Sequence, residues 1–334
     1  MSIQIIKQGL MDTVQDQGRY GYQHLGINPG GAMDRYSAQL ANALLGKDLT
    51  SPVIEMHFPS CEILFIKETI ICITGSDFSP VINRKKVPLN QPVAVNKSTE
   101  LRFEKKTLGS RCYLSIIHDM ELDKWMNSYS TNLIANAGGF NGSALKKGDT
   151  INFKNSYGSQ YLVEGKDFTL LTWKARETLQ SKKEIRFVKG NEWEWLTDDS
   201  KKNFTGNLVA EQEGKYKILN NSNRMGYRLE GTALKVKEEK QLISSGVTFG
   251  TIQLLPDGQL IVLMADHQTT GGYPRIGHVI SADLPYLAQC NPGDEIIFSE
   301  STIGDAEQEY LEQQRDLLHM KTASKFKMEK YDRP

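Results

Sequence analysis

The sequence predicts a mainly β protein in which the sheets close on themselves or pack face to face. Short runs rich in Val, Ile, Phe and Tyr recur along the chain and are separated by Gly, Pro or Asn, which is the pattern of strands and turns. These runs do not alternate regularly with long helical segments, so a doubly wound parallel sheet is not expected. The 334 residues are enough for about two domains.

Eleven segments carry the strand pattern most clearly, and the N-terminal residues 1–9 are interpreted as a further first strand. All of them are short, which favours a barrel or a sandwich over a large open sheet. They are Glu62–Lys67, Thr69–Thr74, Pro92–Asn96, Leu101–Glu104, Arg111–Ile117, Thr150–Phe153, Glu184–Lys189, Tyr227–Leu229, Gly250–Leu255, Leu260–Ala265 and Glu295–Ser299.

Three helices are predicted between and after these strands. The first begins after Asp34, a good N-cap residue, and ends at Gly46, a residue typical of helix C-termini. The second is short, covers 282–289 and has Ser281 as its expected cap. The third covers about 305–321 and leads into a lysine-rich polar tail, which we expect to be a solvated terminus rather than an arm that binds a partner.

Composition and charge exclude several classes of function. Forty basic residues balance forty acidic ones, which argues against nucleic acid or an anionic membrane as the main partner. No apolar run approaches the roughly 18 residues of a membrane span, and the N-terminus lacks the core of a signal peptide. Four separated cysteines, without a CxxC pair, favour buried free thiols over a disulfide framework or a zinc site. We therefore expect a cytoplasmic protein without a metal site.

A faint internal repeat suggests two related β modules. Lys147–Phe153 resembles Pro292–Phe298, and a Gly-Gly-aromatic step precedes each copy, at 138–140 and at 271–273. The second copy has a longer interval, which contains the predicted short helix. Chance matching of a common Gly-Asp turn is an open alternative. The expected domains are a first β module at 1–160, a second at 161–304 and a C-terminal helix with its tail at 305–334.

The loop after the predicted strand Leu260–Ala265 is the strongest candidate for a functional site. It contains more hydrogen-bonding side chains than a scaffold turn needs, and it surrounds a Gly-Gly pair. Loops that are held by a rigid strand often carry binding chemistry. The candidate residues here are His267, Gln268, Thr269, Thr270, Gly271, Gly272, Tyr273 and Arg275.

Two further clusters combine arginine with glycine. An arginine in a glycine-rich loop can present its planar guanidinium to a carboxylate or a phosphate, although an Asp16–Arg19 pair that only ties the loop is an equally open reading. A buried glutamine such as Gln253 must find partners, either in a ligand or in a neighbouring backbone. The candidates are Gln15, Asp16, Arg19, Gly30, Gly31 and Asp34 in the first cluster, and Arg224, Tyr227, Arg228 and Gln253 in the second.

Taken in order, these clusters resemble the biotin-dependent carboxyltransferase family, also called allophanate hydrolase subunit 2-like. The resemblance covers about residues 5–300 and implies two cyclophilin-like β-barrel modules with a few short helices and a C-terminal helical tail. The matching segments are Val14-Gln-Asp-Gln-Gly-Arg19, Pro29-Gly-Gly-Ala-Met-Asp34, Ala41-Asn42, Met225-Gly-Tyr-Arg-Leu-Glu-Gly231, Gly250-Thr-Ile-Gln253, Gln268-Thr-Thr-Gly-Gly-Tyr-Pro274, Ile280-Ser-Ala-Asp-Leu284 and Gln289-Cys-Asn-Pro-Gly-Asp294.

The first module departs from the family pattern. Relatives usually have Tyr-Leu-x-x-x-Gly-Gly where this chain has Tyr113-Leu-Ser-Ile-Ile-His-Asp119, and Gly-Arg where it has Gly142-Ser143. The loop at 268–274 is intact. We therefore expect the site mainly in the second module, facing the loop that carries Arg19.

The resemblance implies that this chain is the C component of an ATP-dependent 5-oxoprolinase-type complex. The complex converts 5-oxoproline to glutamate, and the C component alone is expected to be inactive. Expected partners are a B-type component of cyclophilin fold and an A-type lactam hydrolase. His267, Arg275, Arg19 and Tyr273 are the expected catalytic residues, and the other candidates would bind substrate or ATP. No phosphate-binding loop of the Gly-x4-Gly-Lys-Ser/Thr type is present, so ATP would need arginines and a partner chain.

Two alternatives remain open at the level of sequence. The chain lacks a biotinylation motif of the Ala/Val-Met-Lys-Met type, so a carboxyltransferase of this family would take carboxybiotin from another chain and pass the carboxyl group to a urea-like or amide-like substrate. The other alternative is a non-catalytic module that antagonises an inhibitor of a regulatory kinase.

Overall fold

The computed structural model describes residues 2–154, 165–176, 182–205, 214–238 and 240–331, with side chains up to residue 329. The chain divides into two compact units, each assembled from segments that are distant in sequence, whereas the predicted boundaries near 160 and 304 cut the chain at single points. The first unit contains Met1–Arg19, Asp34–Gln180 and Gln314–Pro334, and the second contains Tyr20–Met33 and Ser181–Gln313.

Twelve strands form the first unit within the described residues. They pair into two six-stranded sheets, in the orders β11-β1-β4-β9-β6-β7 and β12-β8-β5-β10-β3-β2. The strands are β1 (Ser2–Lys7), β2 (Thr13–Gln15), β3 (Val53–Met56), β4 (Glu62–Phe65), β5 (Thr69–Asp77), β6 (Pro80–Ile82), β7 (Lys85–Lys86), β8 (Val93–Val95), β9 (Thr99–Phe103), β10 (Leu108–Ile116), β11 (Thr150–Asn152) and β12 (Phe168–Leu170).

Nine strands form the second unit, counted over its described residues. Seven of them close into a barrel in the order β13-β20-β17-β18-β15-β14-β21, and the remaining two, β16 and β19, pair with each other. The strands are β13 (Glu184–Lys189), β14 (Lys215–Ile218), β15 (Gly226–Glu230), β16 (Ser245–Gly246), β17 (Thr251–Leu254), β18 (Leu260–Leu263), β19 (Thr270–Gly271), β20 (Arg275–Val279) and β21 (Glu295–Glu300). The predicted mainly β architecture with barrel formation is confirmed.

Four α-helices accompany the strands in the described part of the chain: α1 (Arg35–Leu44), α2 (Asp198–Thr205), α3 (Leu284–Ala288) and α4 (Ile303–Tyr331). Asp34 caps α1 as predicted, because its carboxylate accepts the backbone N–H of Ser37 at 2.8 Å. The expected cap of the short helix was wrong. α3 starts after Asp283 rather than at Ser281, and the Asp283 carboxylate binds Arg186 instead of a helix N–H.

The central strand β5 is buried on both faces, which explains its continuous apolar run. Ile71 and Ile73 point into the core that the two sheets enclose. Ile70 and Cys72 point the other way, into a second core that includes Leu40 and other residues of α1. The strands of this unit therefore hold a core on each side of one sheet.

The C-terminal helix continues ten residues beyond its predicted end, to Tyr331, and the expected solvated tail is wrong. Leu317, Ser324 and Met328 are buried at helical spacing, and Met320 is partly buried beside them in the second core of the first unit. The lysines between these positions led us to expect a tail, but they occupy the other faces of the same helix.

The two Gly-Asp turns of the internal repeat have the same hydrogen bonds. In the first turn, Gly148 has a φ of 96° and donates its N–H to the carbonyl of Ile5 at 2.8 Å, and Asp149 accepts the N–H of Lys146 at 2.7 Å. The second turn repeats both bonds at the same distances with Gly293, Ile218, Asp294 and Asn291. This agreement supports two related modules over a chance match.

Cysteines and membrane segments add two observations. All four cysteines are free, with Cys61, Cys72 and Cys112 buried and Cys290 partly buried. Burial raises the pKa of the Cys72 thiol well above its ordinary value. Among the described residues, no helix is long and apolar enough to cross a lipid bilayer.

Candidate functional site

A cavity of about 460 Å³ lies in the second unit, beside strands β15, β17 and β18. Its wall combines four side-chain amides and a tyrosine hydroxyl with apolar surface, one acidic residue and one arginine. The lining residues are Asn221, Asn223, Met225, Gly226, Arg228, Gln253, Leu255, Pro256, Asp257, Ile261, Gln268 and Tyr273. Four of the predicted site residues, Arg228, Gln253, Gln268 and Tyr273, are therefore brought together.

Gln253 is the most unusual group on this wall. Its side chain is completely buried in β17, and neither Oε1 nor Nε2 has a hydrogen-bond partner within the described residues. A buried amide without partners costs about 1–3 kcal/mol. The pairing of β17 with β20 shifts here, so that Ile252 faces Gly277 and Gln253 faces Arg275. Such bulges are frequent next to functional sites, where they redirect a side chain.

Gly271 covers the Gln253 amide. A Cβ atom added at Gly271 would lie 2.5 Å from Nε2 of Gln253, so any larger residue would collide with the amide. Gly271 belongs to β19, which has two register pairs among the described residues, Ser245 with Gly271 and Gly246 with Thr270. The predicted Gly271-Gly272 pair thus permits a close approach of backbone to the buried glutamine.

Arg228 is the one cation on the described cavity wall. It lies on β15 with its side chain exposed, and no ion pair to it occurs within the described part of the chain. Tyr273 is 44% exposed and Gln268 is exposed on the same wall. Asp257, the one acidic residue of this wall as described, accepts the backbone N–H of Gln259 at 2.9 Å in its turn. Arg228 can therefore meet an anionic group of a ligand.

Arg275 is committed to a partner inside the fold. Its Nε and Nη2 atoms donate to the two carboxylate oxygens of Glu192 at 2.9 and 2.8 Å, and its backbone N–H donates to Glu192 at 2.9 Å. Hydrogen bonding to Glu192 raises the pKa of Arg275. Burial opposes ionisation of Glu192, but the hydrogen bonds and charge of Arg275 together outweigh it and lower the pKa of Glu192. The geometry gives Arg275 a role in fixing the bulge, and its catalytic role stays a prediction.

His267 is also held within the fold. It is buried, and its Nδ1 lies 2.5 Å from the carbonyl oxygen of Gln268, so Nδ1 carries the proton and donates it. His267 does not belong to the described cavity wall. Neither do its neighbours Thr269, whose carbonyl accepts the N–H of Val247, and Thr270. A general base at this position stays a prediction.

Arg224 and Tyr227 do not line the described cavity and make contacts within the second unit instead. Arg224 donates to both carboxylate oxygens of Asp266, at 2.7 and 3.1 Å, and to the carbonyl of Gly31 at 2.6 Å. Gly30 and Gly31 both have positive φ, 64° and 98°, which brings that carbonyl to the guanidinium. Tyr227 is buried in the core of the barrel. The Arg224 guanidinium thus already pairs with the Asp266 carboxylate, and its role in binding substrate or ATP stays a prediction.

In the first unit, the Asp16 carboxylate joins two loops. One oxygen accepts the N–H of Gly18 and the hydroxyls of Ser128 and Ser130, at 2.8, 2.7 and 2.5 Å, and the other accepts the N–H of Tyr129 at 2.6 Å. Four donors saturate a carboxylate. The alternative that Asp16 only ties a loop therefore fits the geometry, although the donors differ from the expected Arg19.

Arg19 and Gln15 are equally internal to the first unit. Arg19 is fully buried, donates to the carbonyl of Ser130 and stacks 4.5 Å from the ring centre of Trp125. Gln15 donates from Nε2 to the hydroxyl of Thr13 at 3.0 Å. The loops at 19 and 268 belong to different compact units, and the expectation that they line a common cleft stays a prediction.

Sequence reasoning missed the part of the cavity wall that comes from the turn after β17. Pro256-Asp257-Gly258 is a clear turn signal between two predicted strands, and it returns the chain beside Gln253. A hairpin built from these two strands would have predicted Leu255, Pro256 and Asp257 as neighbours of the buried glutamine. The turn was visible in the sequence, but it was interpreted only as a boundary between strands and not as part of a site.

Residues 25–300 match the family described as carboxyltransferase domain, subdomain A and B. The chain is 32% identical over 323 residues to the C component of 5-oxoprolinase from Escherichia coli (strain K12), and the match covers 95% of this chain and 99% of that protein. It is 31% identical over 297 residues to the corresponding 5-oxoprolinase component of Haemophilus influenzae, covering 88% and 89%.

Structural similarity extends to a larger enzyme. The crystal structure of Kluyveromyces lactis urea carboxylase superposes with a TM-score of 0.84 at 27% identity, over 97% of this chain. This chain spans 29% of that enzyme. The match over residues 25–300, together with relatives above 30% identity over nearly their whole length, confirms the predicted resemblance. The chain belongs to the family of the carboxyltransferase domain, subdomain A and B.

Proposed function

We propose that the chain is the C component of an ATP-dependent 5-oxoprolinase-type complex and that the cavity of the second unit receives the 5-oxoproline ring. The observation that carries the proposal is the cavity wall itself, in which Arg228 has no ion-pair partner within the described residues and stands among side-chain amides. 5-Oxoproline presents one carboxylate and one lactam amide, and these two groups match an arginine and a set of amides. The similarity to the 5-oxoprolinase C component over 99% of the Escherichia coli protein supports the same substrate class.

The size and polarity of the cavity support a small polar ligand. About 460 Å³ lies in the range of small-molecule sites. Arg228 would bind the carboxylate through charge-assisted hydrogen bonds. Tyr273 and Gln268 would supply neutral donors near the lactam oxygen. Phosphorylation of that oxygen by ATP makes the ring carbon a better electrophile, and positioned donors stabilise the charge that develops in this step.

The proposal includes partner chains. Both relatives above are named as subunits, so we infer a B-type component of cyclophilin fold beside this chain and an A-type lactam hydrolase that releases glutamate. ATP would bind with the help of the partner, because Arg224 and Arg275 already have carboxylate partners in this chain.

The test is to purify the chain together with the proteins encoded beside it and to measure ATP-dependent release of glutamate from 5-oxoproline. Arg228→Gln should raise KM for 5-oxoproline about 10- to 100-fold, since a hydrogen bond to a charged group contributes about 1.5–3 kcal/mol. Arg102→Gln is the matched control, because Arg102 is also exposed on a strand but lies in the first unit. Absence of ATP-dependent glutamate release from the wild-type complex would end the proposal.

A second candidate is carboxyl transfer from carboxybiotin on another chain to a urea-like or amide-like substrate. The similarity to urea carboxylase over 97% of this chain favours it. This function requires bicarbonate and is inhibited by avidin, whereas the 5-oxoprolinase reaction requires neither bicarbonate nor biotin. The same purified complex therefore decides between the two candidates.

A further inference from the structure

Two glutamines in the same barrel have opposite hydrogen-bonding states. Gln259 accepts the N–H of Gly231 with Oε1 at 3.0 Å and donates from Nε2 to the carbonyl of Gly231 at 3.3 Å. A primary amide thus pairs with a neighbouring donor and acceptor through two parallel bonds. Gln253 has the same two groups, is more deeply buried, and has neither bond within the described residues. Its amide is ready for a partner of the kind that Gln259 already has.

The cover over Gln253 is small. Gly271 approaches the Gln253 amide so closely that a Cβ there would lie 2.5 Å from Nε2. Within the described residues, the strand that carries Gly271 pairs with Ser245–Gly246 through two register pairs, and one further backbone bond, from Val247 to Thr269, lies beside them. A two-residue strand with two glycines at its end is held weakly, so it can shift by a small distance without disturbing the barrel.

The structure thus has a buried donor and acceptor side by side, a cavity next to them and a thin glycine cover. We propose that Gln253 is the residue that selects a cyclic amide: its Nε2–H donates to the ring carbonyl and its Oε1 accepts the ring N–H, once the Thr270–Gly271 strand has shifted. This inference deepens the proposed function and rests on it for the identity of the ring as 5-oxoproline.

The pairing distinguishes cyclic from open-chain amides. A five-membered lactam or a cyclic urea holds the amide in the cis form, so its N–H and C=O lie on the same side of the ring. Both groups can then face the Nε2 and Oε1 atoms of Gln253. An open-chain secondary amide is almost entirely trans and has these groups on opposite sides. It can make only one of the two bonds and leaves the other buried atom of Gln253 unpaired, which strongly disfavours binding.

The first test asks whether removing the Gln253 amide raises or lowers the melting temperature of the protein. Gln253→Met keeps the length of the side chain and removes the unpaired amide, so the melting temperature of the full chain should rise by about 3 °C. Gln259→Met is the matched control, because it removes two existing bonds and should lower the melting temperature. A glutamine with a purely structural role would behave like Gln259, and a fall in melting temperature for Gln253→Met would overturn the inference.

Kinetics of the assembled complex provide the second measurement. If the wild-type complex converts 5-oxoproline, Gln253→Met should raise KM at least about tenfold and change kcat less, because both hydrogen bonds are made to the ground-state ring. An unchanged KM would overturn the inference and leave the proposed function intact.

Failure of the proposed function leaves the inference testable by ligand binding. If the wild-type complex does not convert 5-oxoproline, the full chain is titrated with 2-pyrrolidinone and 2-imidazolidinone, with N-methylacetamide as the open-chain control. A rise in melting temperature with both rings, absent with N-methylacetamide and absent in Gln253→Met, would support recognition of the cis amide. Equal responses to all three compounds, or no response to any, would overturn it.

Discussion

The Arg19 region of the first unit, residues 15–19, and the cavity of the second unit are both rich in polar side chains, but Asp16 in the first and Gln253 in the second differ in how their hydrogen-bonding groups are satisfied. Asp16 in the first region accepts four hydrogen bonds from the protein itself. Gln253 in the second accepts and donates none within the described residues. Because an unpaired buried amide lowers stability, the state of Gln253 points to a partner outside the described residues. The density of polar residues alone therefore does not identify a site.

The largest expected effect is the loss of stability when the Asp16 carboxylate is removed. Asp16→Ala leaves two backbone N–H groups and two hydroxyls without an acceptor in a buried place, so the free energy of unfolding should fall by about 3–5 kcal/mol. Chemical denaturation, followed by a probe in the first unit such as Trp125, measures this change.

A small change in stability on Asp16→Ala would mean that its hydrogen bonds are replaceable. The Arg19 region would then return as a candidate binding surface. Gln8→Ala serves as the control for an exposed polar residue in the same unit.

Within the second unit, the Glu192–Arg275 ion pair tests whether Arg275 has a structural or a catalytic role. If Arg275 acts by fixing the bulge, Glu192→Gln and Arg275→Gln should lower stability by similar amounts, about 1.5–3 kcal/mol, and reduce activity to the same extent. Parallel denaturation and steady-state assays measure both effects. A loss of kcat with Arg275→Gln that Glu192→Gln does not reproduce would restore the predicted catalytic role of Arg275.

The smallest expected effect concerns the contact between Gly271 and Gln253. Gly271→Ala places a methyl group against Nε2 of Gln253, whereas in a Gln253→Ala background the nearest remaining atom is Cγ1 of Val247 at 3.4 Å. A double-mutant cycle should therefore give a coupling free energy of about 1–2 kcal/mol, with Gly271→Ala tolerated in the second background. A coupling free energy near zero would mean that the Gly271 backbone is not in close contact with the Gln253 amide.

The sequence was sufficient for the strands and for the main feature of the cavity. The eleven predicted strand segments each overlap an observed strand, because their apolar runs are bounded by clear turn residues. Gln253 was identified as a buried glutamine in need of partners, since it interrupts an apolar strand. Apart from β1 and the eleven predicted strands, nine strands were not predicted. They are two to five residues long, and such short elements carry too little periodicity to detect.

The partners of the charged candidates could not be read from the sequence. Glu192 precedes Arg275 by 83 residues, and Asp266 follows Arg224 by 42. Each arginine looked available because its neighbours in sequence are glycine, proline, asparagine or apolar residues. Only the closure of the barrel brings the carboxylates to them. Local sequence therefore shows which residues are polar, but it does not show which of them the fold has already used.

The interleaved make-up of the two compact units has a practical consequence. Cutting the chain near residue 180 would give an N-terminal fragment without 314–331, which completes the second core of the first unit, and a C-terminal fragment without 20–33, which contributes Met33 to the barrel core. Neither fragment would carry all of the sequence that its core requires. Expression of single halves is thus a poor route to an isolated barrel, and a circularly rearranged or loop-deleted gene would have to carry those distant pieces along.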